Sequence, residues 1–599
     1  MKPILFVCIS FFVLLSCAHK GVIFDGTTEA QRLHNFFEWS FELELTQSPM
    51  RMAYRGVNKR QGELDDFSED FALKRQKMVK QHLNILNKFD RNQLNAEDQL
   101  SYDLFADFAQ KEIESFQWRH YNYPVNQMFG IQSTLPGFMI NIHRIESAQD
   151  AENYISRLKA FRSVFDQVTN NLMRAESQGV VPPLFVFDKV LADSQNIISG
   201  QPFDKSSRLS PLYEDFQVKL SSLKLNKQTH SKYLKQASVA LTTSVGPAYS
   251  DLIDFLKRQK KRANSQVGVW KFPKGDEFYQ FRLKSYTTLD LSPEQIHQIG
   301  LDEVRRIHAE MNKIRVKMKF KGNLQTFFGY MQSSQFHLPS SSKGRARYLK
   351  IANAYISGME NKLNSFFRNK PKAGLVVKAV EPFREKSAGM AFYQTPSLDG
   401  KRPGTYYVNL SNMKALPTWS AEALAYHEGI PGHHMQLTLA QEKKGLPKFR
   451  TTAHITAYSE GWGLYSEFFP KEYGFYNDIK SDFGRLSMEL MRSTRLVVDT
   501  DLHWKKWTRE QAIEYLDKNL PGDHNDNVRQ IERYIVMPGQ ATAYKIGQLK
   551  ILELRAKAQK ELGPSFNIRD FHEVILSGGA LPLTLLEKQV ERYIQTHSI

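Results

Sequence analysis

Apolar and polar positions follow a helical spacing over most of this chain. Between residues 27 and 120, apolar stripes alternate with charged faces, as in Leu64, Phe67 and Phe71 and again in Leu83, Ile85 and Leu86. Residues 148–175 and 234–262 carry the pattern of long amphipathic helices. The second of these runs into Lys257-Arg258-Gln259-Lys260-Lys261-Arg262, a cationic stretch that suits a solvated helix C-terminus. Ser292-Pro293-Glu294-Gln295 reads as a helix start, with Ser as N-cap, Pro first inside and Gln poised to close a capping box; the helix should run to about Lys317. Tyr121–Pro124 and Ser133–Gly137 read as connecting loops. Gly268–Gly275, with Pro273, reads as the boundary between an N-terminal helical lobe, 17–270, and a C-terminal lobe, 271–599. No internal repeat or low-complexity tract interrupts the pattern.

The period changes between residues 375 and 410. Leu375–Val380, Ala391–Tyr393 and Thr405–Leu410 are short, β-branched or aromatic segments, with Asp399-Gly400 and Pro403-Gly404 as turns. They predict a small antiparallel sheet. An edge of it could pair with an extended ligand, with Tyr406 and Tyr407 as contacts, or the segment could be a structural hairpin.

Directly after it comes Ala425-Tyr426-His427-Glu428-Gly429-Ile430-Pro431-Gly432-His433-His434-Met435-Gln436, behind the helix-forming run Ala421–Leu424. A helix bearing His-Glu-x-x-His sets two imidazoles on one metal and the Glu as base. Here four residues separate Glu428 from His433. On a regular helix His433 would be turned roughly 120° away from His427. His434 would share the face of His427, but about 10.5 Å further along the axis, too far for one ion. Pro431 lacks an N–H and clashes with the carbonyl of His427, and Gly432 opens backbone angles closed to other residues. The helix should therefore break there and return His433 to the metal, while His434 points elsewhere, to substrate or to a carboxylate.

A catalytic zinc needs a third protein ligand and an open position. Ala457-Tyr458-Ser459-Glu460-Gly461-Trp462-Gly463-Leu464-Tyr465-Ser466-Glu467 offers Glu460, 27 residues beyond His433 and flanked by glycines that admit a close neighbour. His454 and Glu467 are the alternative ligands. Addition to a carbonyl also needs a donor for the developing oxyanion. Tyr544, just after the turn Pro538-Gly539, is the candidate, though a tyrosine there can equally be a core residue. Arg495, Asp499 and His503 recur every four residues on one helical face; they would orient the ligand imidazoles or form a structural salt-bridged face.

Composition removes several alternatives. The two cysteines are Cys8 and Cys17. Neither a thiol nucleophile nor a cysteine-rich zinc site can be built from them once the leader is cleaved. That leader is Met1-Lys2 followed by the apolar run Ile4–Leu15, too short to span a bilayer, and it ends in Leu14-Leu15-Ser16-Cys17. This tetrad resembles a bacterial lipobox, which implies removal of residues 1–16, acylation of Cys17 and a protein anchored to the envelope; an ordinary cleaved signal peptide is the alternative. Ala18 after the cysteine implies the outer membrane, facing the periplasm. The net charge of +18 fits anionic lipid headgroups. No helix-turn-helix, Walker or RNA-recognition motif points to nucleic acid.

Taken together, His-Glu-Gly-Ile-Pro-Gly-His-His-x-Gln, Tyr-Ser-Glu-Gly-Trp-Gly-Leu-Tyr and Pro-Gly-Gln-Ala-Thr-x-Tyr-Lys-Ile-Gly resemble a bacterial family catalogued as domain of unknown function 885. Val269-Trp270, Pro273, Gly275, Thr287-Thr288 and Gly300-Leu301 extend the likeness upstream. That family is similar to gluzincin metallopeptidases. The resemblance implies a mainly α fold with a deep cleft, a zinc ion, and a glutamate as third ligand. The expected function is a membrane-anchored peptidase for short peptides. His427, His433 and Glu460 would hold zinc, Glu428 would be general base and then acid, and Tyr544 would stabilise the oxyanion. The alternative is a catalytically silent envelope lipoprotein that binds peptide or glycan in the same place.

Overall fold

The computed structural model describes residues 24–381, 385, 389–397 and 402–598. Cys17 and the Asp399-Gly400 turn lie outside the described residues. The protein is mainly helical, with one small three-stranded sheet.

The helical periodicities become helices over most of the chain, but Leu64 and Phe67, read as part of a helical stripe, lie in irregular chain before the helix Glu69–Leu86, whose N-cap is Ser68. Residues 148–175 form the helix Ala148–Ser177, which buries Tyr154, Leu158, Phe161, Phe165, Val168 and Leu172 along one stripe. Residues 234–260 lie in Lys227–Ala240 and Gly246–Lys260, joined without a break by the widened π turn Leu241–Val245, and the helix ends two residues before Arg262. The widening precedes Pro247, which cannot donate a backbone hydrogen bond. At Pro293–Lys317 both arms of the capping box are made: Gln295 N donates to Ser292 Oγ at 3.2 Å and Ser292 N to Gln295 Oε1 at 2.8 Å.

Two further expectations need correction. Ser133–Gly137 is not a loop but part of the helix Ile131–Asn141, with Pro136 inside it. The carbonyl that Pro136 leaves without a helical donor, that of Gln132, accepts instead from the buried hydroxyl of Tyr249 at 2.6 Å. The sheet is mixed rather than antiparallel. Its strands are β1 (Leu375–Ala379), β2 (Ala391–Gln394) and β3 (Gly404–Val408), in the order β1-β3-β2. β3 pairs antiparallel with β2 and parallel with β1, Val377 opposite Tyr406. It is therefore the central strand, and its backbone has no free edge to offer a ligand.

One apolar core runs through residues on both sides of position 270, from Leu100 to Ile594. Through it passes the helix Ile479–His503, buried on nearly every face. It packs along Pro293–Lys317 and against the helices Arg509–Asn519, His524–Val536 and Ala543–Leu562. Its charged groups are matched internally: the Glu489 carboxylate meets Lys545 Nζ at 2.7 Å, Arg306 at 2.5 Å and Arg485 at 3.5 Å. Among the described residues no helix is long and apolar enough to cross a membrane.

Candidate functional site

The helix Ala421–Glu428 stops at Gly429, whose N–H bonds the Ala425 carbonyl at 2.9 Å, and a new helix starts at His433 and runs to Glu442. Ile430-Pro431-Gly432 form the break, and Trp462 Nε1 donates to the Pro431 carbonyl at 2.9 Å, tying the break to the helix Thr456–Phe468. The break folds the two histidines back on one another: the rings of His427 and His433 lie 4.7 Å apart, nearly perpendicular. Their Nε2 atoms stand 3.4 and 3.6 Å from the same oxygen, Glu460 Oε2.

All three donor atoms fall within 4.8 Å of one another. An ion about 2 Å from each of three tetrahedral donors sets the donors roughly 3.3 Å apart, so both measured carboxylate–imidazole gaps fit such an ion without large movement. The side chains of His433 and Glu460 keep 12% and 20% of their surface exposed, so the cluster faces solvent on one side.

The supporting residues fix this geometry. His427 Nδ1 bonds Glu467 Oε1 at 2.7 Å, which turns Nε2 towards Glu460. Glu460 and Glu467, seven residues apart on one helix, therefore share His427: one faces its outer nitrogen, the other holds its inner one. Glu467 is an orienting partner, not the alternative ligand. Arg492 Nη2 stands 3.6 Å from the same Glu467 oxygen. A Cβ at Gly463 would meet His427 Cε1 at 2.5 Å, so the imidazole lies flat against the helix only because that position is glycine. Burial by itself lowers the pKa of His427, but the bonds to Glu460 and Glu467 raise it to about 10. Glu460 moves the other way, burial opposed and overcome by both imidazoles, to well below the usual carboxylate range.

Glu428 ends its helix beside His427 and is buried. Its charge reaches Tyr406, whose hydroxyl is buried without a hydrogen-bond partner and pushed well above its ordinary pKa, chiefly by burial. Tyr544 is the second residue of its helix, and its hydroxyl accepts from Arg533 Nη2 at 3.2 Å, leaving its own proton free to be donated.

Other assignments do not hold as read. His434 is buried against the sheet, its Nδ1 on the Tyr393 hydroxyl at 2.9 Å and the Thr438 hydroxyl at 3.4 Å, and burial brings its pKa down to about 4. Burial holds it neutral, packed against these hydroxyls. Tyr407 stacks on Phe392 within the sheet. His454 is exposed, near enough to feel Glu460 and His433 but outside the cluster. Arg495, Asp499 and His503 do share a face, yet none touches a ligand imidazole. Asp499 accepts from Tyr279 Oη at 2.7 Å and Gly539 N at 3.0 Å, and His503 bonds the Tyr534 carbonyl at 3.0 Å. They anchor the turn before Tyr544. Arg533 was not anticipated; it meets Tyr544 across the Pro538-Gly539 turn, and no helical spacing links positions on the two sides of a turn.

A mainly helical chain with two histidines and a glutamate converging from three helices defines the class. The sequence matches the model of the bacterial protein family of unknown function DUF885 over residues 49–590, and the chain belongs to that family. It is similar to the crystal structure of a candidate lipoprotein from Colwellia psychrerythraea, with TM-score 0.87 and 30% identity over 95% of this chain and 100% of that one. A candidate lipoprotein of unknown function from Shewanella oneidensis shares the fold, with TM-score 0.72 and 18% identity over 93% of this chain and 99% of that one. No curated protein matches the chain.

Proposed function

We propose that this protein is a zinc-dependent peptidase of the bacterial envelope, related in its chemistry to the gluzincins and acting on short peptides. The observation that carries the reading is the cluster itself: two imidazole nitrogens converge on one carboxylate oxygen, and a second carboxylate orients His427 from behind. This is the donor set of a hydrolytic zinc site, with room for a fourth, open position. Zinc bound there supplies Lewis acidity towards the oxygen of a peptide carbonyl. Glu428 takes the proton of the attacking water and returns it to the leaving amine. Tyr544, with its hydroxyl proton uncommitted, donates to the oxyanion. The lipobox-like Leu14-Leu15-Ser16-Cys17, together with relatives described as candidate lipoproteins, supports an acyl anchor on Cys17 and an envelope location, read from Ala18 as the outer membrane facing the periplasm.

Purified protein should hold about one zinc per chain and hydrolyse members of a mixed short-peptide library. Glu428→Gln should keep the zinc and lose turnover by roughly a hundredfold or more, because the amide cannot accept a proton. Absence of stoichiometric zinc, or near-normal turnover in that variant, would overturn the reading and favour the silent binding protein.

A further inference from the structure

Two arginines beside the cluster lack what arginines inside proteins ordinarily have. Arg495 is only 4% exposed. Its Nε donates to the Tyr534 hydroxyl at 2.9 Å, its Nη2 lies 3.5 Å from Gln530 Oε1, and its Nη1 is buried with no hydrogen-bond partner. Arg533 Nη2 donates to Gln540 Oε1 at 2.7 Å and to the Tyr544 hydroxyl. The two side chains meet on one residue: the Arg495 guanidinium lies over the Tyr544 ring at 4.5 Å, and Arg533 touches its hydroxyl. Among the described ion pairs, no carboxylate is matched to either. A buried guanidinium is unfavourable unless a counter-charge is supplied, and here the hydrogen-bond partners are neutral oxygens and the ring contact is an aromatic face, not a carboxylate. Gly461, next to Glu460, packs directly on Gly547, one helical turn after Tyr544, so the pair lies on the side of the metal-ligand cluster.

We infer that Arg495 and Arg533 bind the free C-terminal carboxylate of the peptide, making the protein a carboxypeptidase rather than an endopeptidase. The inference rests on the peptidase reading above and sets its substrate class. A carboxylate is planar and bidentate, the group a guanidinium fork matches best. Position decides among anions. Arg533 touches the hydroxyl that faces the scissile carbonyl, and an extended residue spans only about 3.3–3.6 Å. A carboxylate held there lies one or two residues beyond the reacting bond, so the products are single residues or dipeptides released from the C-terminus. A purely structural role, bracing the Gly539 turn, would be indifferent to the chemistry of a peptide's end.

The test uses the full-length protein, with zinc and after chelation, and a randomised N-acetylated tetrapeptide library prepared as free acids and as C-terminal amides. Retention on the protein is read by mass spectrometry, separately from hydrolysis. Acids should be retained at least about tenfold more strongly than amides, with or without metal. Arg533→Gln and Arg495→Lys should each bring acids down towards amides while leaving amide retention unchanged; Arg533, the less buried, keeps the test available if the Arg495 variant fails to fold. Equal retention of acids and amides, or no retention of acids, overturns the inference. Zinc-loaded protein that cleaves acids and amides alike overturns it while leaving the peptidase reading intact. A protein that holds no zinc yet prefers acids keeps the carboxylate site and removes the peptidase.

Discussion

Three histidines near one another in sequence end in different chemical roles, and the surroundings of each decide which. His427 is held between two carboxylates, His433 faces one of them with Nε2 while its Nδ1 is buried without a partner, and His434 packs against hydroxyls and is neutral. His433→Ala should therefore abolish zinc binding, whereas His434→Ala should leave stoichiometry near that of the parent. Glu467→Gln should keep the fold but weaken zinc by about 10- to 100-fold, because the amide no longer fixes the His427 tautomer as strongly. Metal analysis and competition with a chelator measure all three. Asp501 gives a separate prediction. It is buried, both its oxygens lack hydrogen bonds, and burial pushes its pKa up to about 7, with Lys505 pulling the other way. The facing His297, 3.5 Å away, has its pKa lowered, chiefly by burial and then by Lys505. The folded state thus binds this proton more tightly than the unfolded chain. Stability from this group is fullest below about pH 4 and falls as the pH rises to about 7. Asp501→Asn should melt higher than the parent at pH 8, by the equivalent of roughly one to a few kcal/mol, and the gap should close near pH 4. Thermal melts of both proteins across that range decide it.

At the scale of the element, the site is made by how closely helices approach. Thr456–Phe468 crosses Ala543–Leu562 where Gly461 meets Gly547: a Cβ on Gly547 would stand 1.9 Å from the Ala457 carbonyl oxygen. Gly547→Ala should cost a few kcal/mol, on the order of other overpacked cores. At Gly463 the three atoms nearest an added Cβ all belong to the His427 ring, so Gly463→Ala should lose zinc affinity with a much smaller fall in melting temperature; equal losses in both variants would deny that Gly463 acts through the imidazole. Much of this level was legible in the sequence. Pro431-Gly432 announced the break because a proline cannot continue a helix, and Ser292 with Gln295 announced a start because capping is local. What depends on distant partners was not legible. The helix through Pro136 needs the Tyr249 hydroxyl, more than a hundred residues away. The parallel pairing of β1 with β3 leaves no mark in either strand, since turns report only on sequential neighbours. The face shared by Arg495, Asp499 and His503 could be read from spacing, but not what lies opposite it.

For the whole molecule, a lipid on Cys17 and the folded body would make separable contributions. If Cys17 carries lipid, Cys17→Ser should move the protein from the membrane to the soluble fraction while leaving zinc content and peptide turnover as in the parent. Fractionation that finds the variant still on membranes would remove the lipobox reading or assign the attachment to the basic surface. The helix Ile479–His503 carries a consequence of another kind. A segment with almost no solvent face cannot rest in its native setting until its neighbours surround it, and several of them, His524–Val536 and Ala543–Leu562 among them, come later in the chain. The newly made protein must therefore wait, its middle wrapped on one side only, for the final stretch to arrive. Shortening it from the C-terminus, even well short of the histidine cluster, should yield not a smaller folded protein but a target for proteases.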